Sequence, residues 1–462
     1  MNSRLAACCV VASLLPGTVA AQSAQTTETT QTTPTTRAVS SERLSLDTAI
    51  RLAVENNRQL VTALLQVKKA EGELAASRTH RLPSFETSVL ATQLLTPADF
   101  SFPRAAFGDF PGIGPIPASA VNVTTPRRLT GYMSSQVSQP ISQLVRIGLE
   151  IRNAETVRDM ERTHAREQQL SLVNSVKRLY FAILQGQTAI AAGEEAVALY
   201  RELDRTLTLR VAQKVALRSD ALDVQVRLAQ EGLSQMTRTN TLASQKEQLN
   251  QLLGRDVRVA FDTEGVSVVS GLDVDLSAAQ GRALERPDVQ EARLKARQAE
   301  IDRRLKKAER IPDVSVAVSY SSYFNMDILP SHLASAGLQV KWEPFDWGRR
   351  GRELASKSYT VNQAGLAVRD AEDRAVLDVN SRFRKLNEMR AQLSVAKAAQ
   401  DSAREKLRVK TNQYQIQAAL LSDVLHLRAD RADADDRYQQ ALSAFWTAKA
   451  DFEHAVGEDV IP

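Results

Sequence analysis

The chain carries one large unit twice, and this constrains its fold more than any single motif. HRLPSFETSV at 80–89 returns as ERIPDVSVAV at 309–318, and QLNQLLGRDV at 248–257 returns as DFEHAVGEDV at 451–460. A unit of roughly 200 residues is far longer than the roughly 20–50 residues of solenoid repeats, so the pattern reads as a tandem duplication. Leu46, Ala49, Ala53 and Asn57 correspond to Leu276, Ala279, Ala283 and Pro287, each 230 positions on. Pro83 matches Pro312 at 229, Pro140 matches Pro344 at 204, and Asp220 and Gly254 match Asp423 and Gly457 at 203. The offset jumps once, between Pro83 and Pro140, so the first copy holds one insertion of about 25 residues in a single loop.

Proline placement divides each unit. None occurs at 141–286 or 345–461, and both stretches carry apolar residues at helical spacing among Ala, Leu, Gln, Arg and Glu. This predicts long helices over Ile141 to Gln213 and Phe345 to Gln417, rods of about 110 Å at 1.5 Å per residue. Shorter helices are predicted over Leu46 to Arg81, Leu217 to Gly254, Leu276 to Arg310 and Leu420 to Gly457. In each copy two short helices have the combined length of the long one. They are expected to stack end to end beside it in an antiparallel bundle with coiled-coil seams.

Four segments alternate with period two: 84–95, 129–139, 313–324 and 333–343. Val314, Val316, Val318 and Tyr320 share one face, and Leu338 and Val340 share one face of their own segment. The opposite faces are mostly Ser, Ala and Gln. These lengths suit tilted barrel strands, with Trp342, Phe345 and Trp347 as aromatic anchors at the strand ends. A half-buried soluble sheet would alternate in the same way. In lipid, however, four strands leave open edges, which are forbidden, so copies would have to share one wall. Two copies would supply eight strands and three copies twelve.

The amino terminus bears on the address. Residues 1–21 read as a signal peptide, with Arg4, the apolar run Leu5 to Leu15, and the small residues Val19, Ala20 and Ala21. Reading Leu5, Ala6, Ala7 and Cys8 as an acylation box would leave too short an apolar run before the cysteine. Residues 22–43 are Thr-rich and expected to be disordered. The remaining organisation is a first structural repeat at 44–257, a linker at 258–275 and a second repeat at 276–460. The two cysteines, Cys8 and Cys9, both fall in the presequence, and a net charge of +5 with 5% aromatic residues is no nucleic-acid footprint.

Pro83 and Pro312 at helix-to-strand junctions, Pro140 followed by Ile141 and Ser142, the run Glu343 to Arg349 (EPFDWGR), and SDVLHLRAD at 422–430 together resemble the outer-membrane efflux protein family, the TolC-like channels. The resemblance spans about residues 44–460. It implies a mostly α fold with a membrane β-barrel: a long antiparallel α-helical barrel, and four strands per protomer in a shared trimeric β-barrel. It also implies a homotrimer in outer-membrane lipid, with its helical part in the periplasm, docked to a periplasmic adaptor protein and an inner-membrane pump. The function it implies is the passive exit channel of a tripartite efflux or type I secretion system. The alternative is an exported structural coiled-coil protein without channel activity.

Family resemblance also implies a periplasmic gate, and the matching positions are Asp220, Tyr414 and Asp423. His426 stands where a second aspartate often follows, Ala419 where a basic partner can occur, and Lys214 and Gln417 where glycine is frequent. Asp220 and Asp423 could equally serve only as favourable carboxylates at a helix start. A basic cluster, Arg303, Arg304, Lys306, Lys307 and Arg310 with Arg349, Arg350 and Arg352, is a candidate for lipid headgroups or for the channel wall below the barrel, with a solvated surface as the alternative. The insertion, about 96–128, is expected to be an outward-facing loop. No catalytic or cofactor chemistry is expected: the five histidines are dispersed, no nucleotide motif occurs, and the Asp and Arg residues of 428–437 read as a salt-bridged helix face.

Overall fold

The computed structural model describes residues 42–458 except Leu94, 126–128, 266–274, 326–329, Gln417 and Leu420. The predicted signal peptide, residues 22–41 of the Thr-rich segment and the last two residues of the second repeat lie outside the described residues. The same holds for residues 266–274, half of the predicted linker.

Numbering the principal elements in chain order, the first repeat runs β1 (Glu42–Leu44), α1 (Leu46–Asn56), α2 (Arg58–Thr79), β2 (Ser84–Gln93), then an elaborated loop. In that loop β3 (Ala98–Phe102) pairs with β6 (Val121–Thr125), and β4 (Asp109–Phe110) with β5 (Gly114–Pro115). β7 (Leu129–Pro140), α3 (Leu144–Ala212) and α4 (Arg218–Leu252) complete the repeat. After β8 (Phe261–Thr263), the second repeat gives α5 (Leu276–Ala283), α6 (Pro287–Ala308), β9 (Asp313–Phe324), β10 (His332–Lys341), α7 (Arg349–Gln415) and α8 (Leu421–Val456). The long helices, 69 and 67 residues, span about 100 Å each. No helix among the described residues is long and apolar enough to cross a membrane.

Two expectations are corrected. The segments expected as single helices before each hairpin are broken, at Asn57 and at Leu284–Arg286. The Thr-rich segment does not run to residue 43, because Glu42–Leu44 pairs in parallel with Phe261–Thr263 inside the linker. The two hairpins join in one four-stranded sheet ordered β10-β9-β7-β2. Strand bounds fall within about two residues of those expected.

The breaks have local causes that the duplication varies. Asn57 is buried, and its Oδ1 accepts the amides of Gln59 and Leu60 to cap α2, while its Nδ2 donates to the Leu252 carbonyl at the end of α4 (2.9 Å). In the second repeat Pro287 opens α6, where its missing N–H costs nothing. Arg286 takes over the second role, donating to the carbonyl of Ala455 (3.1 Å), the counterpart of Leu252. Gly254 and Gly457 end α4 and α8 with φ of +70° and +78°.

Side by side, α2 and α4 both pack along α3, α6 packs between α3 and α7, and α8 also packs between them. The end-to-end stacking expected from the lengths is what forms. The main core lies where α1, α3, α5, α7 and α8 meet. Here Phe181 stacks on Trp446 at 5.8 Å, and Phe445 meets the same indole edge-on. Tyr180, fully buried, anchors β1 and β8 to α3, its hydroxyl 2.9 Å from the Leu44 carbonyl and 2.8 Å from that of Glu264. Burial pushes this phenol up to about 12.

Near the end of α8, Arg286 binds Asp378 (3.0 Å), which also holds Arg382 (3.2 Å), which reaches Asp451 (3.1 Å). Burial pushes Asp378 up, but its bonds from Arg286 and Arg382 outweigh this and hold it below the ordinary value. Burial pushes His454 beside them down, and Arg286 adds to this. Both groups therefore stabilise the fold in their deprotonated forms. Stability is lost as pH falls, first below the ordinary His value of 6.5 and then through the carboxylate range. His454→Gln is expected to remove the decline in thermal midpoint that begins near pH 6.5 and to leave the decline below about pH 4.

Candidate pore wall, junctions and gate

Strand register decides which side chains share a surface. Val316 faces Leu338, Val314 faces Val340 and Tyr320 faces Ala334 across β9 and β10. Val318 faces Val137 on β7, which faces Phe85 on β2; Met133 faces Val89. Val314, Val316, Val318, Tyr320, Leu338 and Val340 therefore lie on one face, as the alternation indicated, and the first repeat extends it. Three of its polar members on β2 and β7 bond locally: Thr87 and Ser135 bond each other at 3.0 Å, and Gln139 donates to the carbonyls of Arg81 and Pro140.

The other face is small and polar, with Ser315, Ser319, Ser335, Gln339, Ser134, Gln136 and Ser88. Its apolar exceptions cluster toward the loop end, where Leu90, Tyr132 and Tyr323 are neighbours in register and the two phenol rings lie 6.3 Å apart.

At the opposite end each strand meets a helix through a built junction. Ser142 Oγ donates to the Pro312 carbonyl (2.6 Å) and accepts the Val314 amide (2.7 Å), and Arg146 holds Asp313 (3.3 Å). The first repeat thus fixes where the second enters the sheet. In the run Glu343 to Arg349, Asp346 accepts the amides of Gly348 (3.1 Å) and Arg350 (3.0 Å), capping α7. The Arg350 amide leads in holding its carboxyl below the ordinary value. Trp347 and Gly348 take left-handed backbone (φ +56° and +80°), which turns the chain from strand to helix. Trp342, Phe345 and Trp347 remain exposed here, and the last two rings pack edge-on at 4.8 Å.

Much of the basic cluster is neutralised in place. Arg303 and Arg304 hold Glu300, Lys306 holds Glu309 and Glu353, and Arg349 and Arg350 hold Glu343. The bonds from Glu309 and Glu353 raise Lys306 above its ordinary value. Lys307, Arg310 and Arg352 have no such pair among the described residues and are exposed.

At the far tips, Asp423 in the first turn of α8 meets Lys410 at 3.3 Å, and Tyr414 stands one turn beyond Lys410 on the same side of α7. Asp220, in the first turn of α4, takes a local bond from the Ser219 hydroxyl (3.3 Å). Among the described residues, Asp220 and Tyr414 make no side-chain bond to Asp423 or to each other. Lys410 is the residue that inspection of the turn itself missed. Its signal was the four-residue spacing from Tyr414, which puts both on one helix face.

These elements define the fold of a TolC-like outer-membrane channel. It is shared with the CmeC outer membrane channel of Campylobacter jejuni (15% identity, TM-score 0.74, 89% of this chain and 85% of that one). It is also shared with a membrane protein from Pseudomonas aeruginosa (16%, 0.72, 89% and 93%) and the outer membrane protein VceC of Vibrio cholerae (16%, 0.70, 89% and 96%). Residues 280–458, most of the second repeat, match the model of the outer membrane efflux protein family. A search of curated proteins finds no match.

Proposed function

We propose that this chain is the outer-membrane exit channel of an efflux system, a passive duct from periplasm to exterior that works as a homotrimer. One observation carries the reading. Strand order β10-β9-β7-β2 continues into helix order α7-α6-α3-α2, so strands and helices stop at the same two edges. Sheet edges in lipid must be paired, and the helical layer carries unpartnered apolar side chains at the same borders. On the α2 and α4 side, Leu64, Leu65, Leu222, Val226, Leu233 and Met236 are exposed, and α7 exposes Tyr359 and Leu366.

Three copies joined edge to edge give twelve strands with a continuous helical wall beneath. The valine-rich face, with Val314, Val316, Val318, Tyr320, Leu338 and Val340, meets lipid, and Trp342, Phe345 and Trp347 sit at the periplasmic interface. The serine-rich face lines the water path. The helical part stands in the periplasm, where Asp220, Tyr414, Asp423 and Lys410 ring the narrow tip. That tip docks with a periplasmic adaptor and an inner-membrane pump, which supplies the energy. Purified protein is expected to run as a heat-modifiable trimer and to conduct ions in planar bilayers. A water-soluble monomer without conductance would leave the structural coiled-coil alternative.

A further inference from the structure

We infer that the β10 edge of one copy pairs antiparallel with the β2 edge of the next in a single register, Val340 opposite Val89, and that Lys341 and Glu86 form an ion pair across this seam. The inference rests on the trimeric reading above and specifies how its copies recognise one another.

Register follows from the duplication. Pro83 and Pro312 place β9 229 residues after β2. The hairpins pair alike, Val137 with Phe85 and Leu338 with Val316. Phe85 moved on by 229 is Val314, whose partner is Val340, and Val137 therefore corresponds to Val340, 203 residues on. The same offset relates Asp220 to Asp423 and Gly254 to Gly457, so Pro140 and Pro344 stand one residue out of phase. Inside one copy the repeats meet at β7 and β9, with Val137 opposite Val318. Moving Val137 on by 203 gives Val340, and moving Val318 back by 229 gives Val89. The outer edges paired as the inner ones are thus put Val340 against Val89, Leu338 against Ala91 and Lys341 against Ser88. Apolar residues meet apolar residues on one face, whereas a slip of one residue would reverse the faces of the whole strand.

Charge supports this register independently. Glu86 is the one charged residue of β2 and Lys341 the one Lys, Arg, Asp or Glu of β10, and both lie on the serine-rich face. Neither has an ion pair or side-chain bond among the described residues. With Lys341 opposite Ser88, Glu86 is its diagonal neighbour, within reach of two long side chains. The nearby Glu343 is occupied by Arg349 and Arg350, and Asp313 on β9 by Arg146. At the equivalent place inside one copy the two positions are Ser138 and Ser315, which are neutral. Opposite charges therefore mark only the edges that must find another molecule. They favour β10 against β2, while β2 against β2 or β10 against β10 would oppose like charges. This head-to-tail contact is the kind that closes rings.

The test uses the full chain with Cys8 and Cys9 replaced by alanine, carrying the cysteine pair Val89→Cys with Val340→Cys, or the slipped pairs Thr87→Cys with Val340→Cys and Ala91→Cys with Val340→Cys. Directly opposed positions meet disulfide geometry and positions displaced by two residues do not. Oxidation in outer-membrane fractions is expected to give covalent trimers for the 89/340 pair alone, read on non-reducing gels after heating. Trimers that cross-link through 87 or 91, or that do not cross-link at 89/340, overturn the register and leave the channel reading standing. Monomers in mild detergent overturn both. Glu86→Lys and Lys341→Glu singly are expected to lower the temperature at which trimers dissociate, and together to restore it. A double variant no better than the single ones overturns the ion pair.

Discussion

Alanine at Gly254 is expected to cost the fold about 2–5 kcal/mol, whereas alanine at Gly457 is expected to cost about 1–2 kcal/mol. Both residues hold positive φ at the end of a returning helix, so each substitution incurs the left-handed penalty of an L side chain. The difference lies in what the new Cβ would meet. At Gly254 it would overlap the carbonyl oxygen of Asn56, a backbone atom held between two helices by the Asn57 cap. At Gly457 the nearest atom is Arg286 Cγ at 3.3 Å, a side-chain atom that needs to shift by only a few tenths of an ångström. Thermal or urea midpoints in detergent provide the measurement. Equal losses at the two glycines would mean that the Asn56 backbone moves freely.

Opening of the narrow tip should respond strongly to Lys410→Ala or Asp423→Ala. The pair is partly exposed, with side-chain accessibilities of 30% and 42%, so one contact is worth about 0.2–1 kcal/mol after solvent screening. In the proposed assembly three such contacts sit around one opening. If they release together the effect adds to at most about 3 kcal/mol, roughly a hundredfold shift toward the open tip. Single-channel recording is expected to show more frequent or longer openings in either variant, with the double variant no more open than the singles. High salt should move the native protein in the same direction. Asp220→Ala separates two roles: unchanged conductance with lowered stability would assign it to the start of α4 alone. If conductance is unchanged in all three variants, the gate lies elsewhere.

The large features were legible in the sequence because each follows from a short-range rule. Period-two alternation located the four sheet strands, and the absence of proline over more than a hundred residues located α3 and α7. What escaped depends on contacts between distant segments. β1 and β8 are three residues each, too short for any periodicity, and exist because Tyr180 and the parallel pairing hold them together. The break at Asn57 needed the Leu252 carbonyl as its other partner, although Pro287 marked the matching break openly. The joining of the hairpins at β7 and β9 is a long-range pairing, fixed at its base by Ser142, that no local pattern specifies. At the tip, the sequence supplied Asp220, Tyr414 and Asp423 through resemblance, but the cation that engages Asp423 lies a full turn before Tyr414, where only the phase of two packed helices could reveal it.

The insertion between β2 and β7 belongs to one repeat only, and among the described residues its hairpin within a hairpin has no counterpart between β9 and β10. Six hairpins around a mouth would therefore not be alike: three tall, aromatic turrets bearing Phe100, Phe107 and Phe110 would alternate with three low saddles. In the proposed trimer such a rim would set exposed aromatic rings at three points around the mouth, with gaps between them.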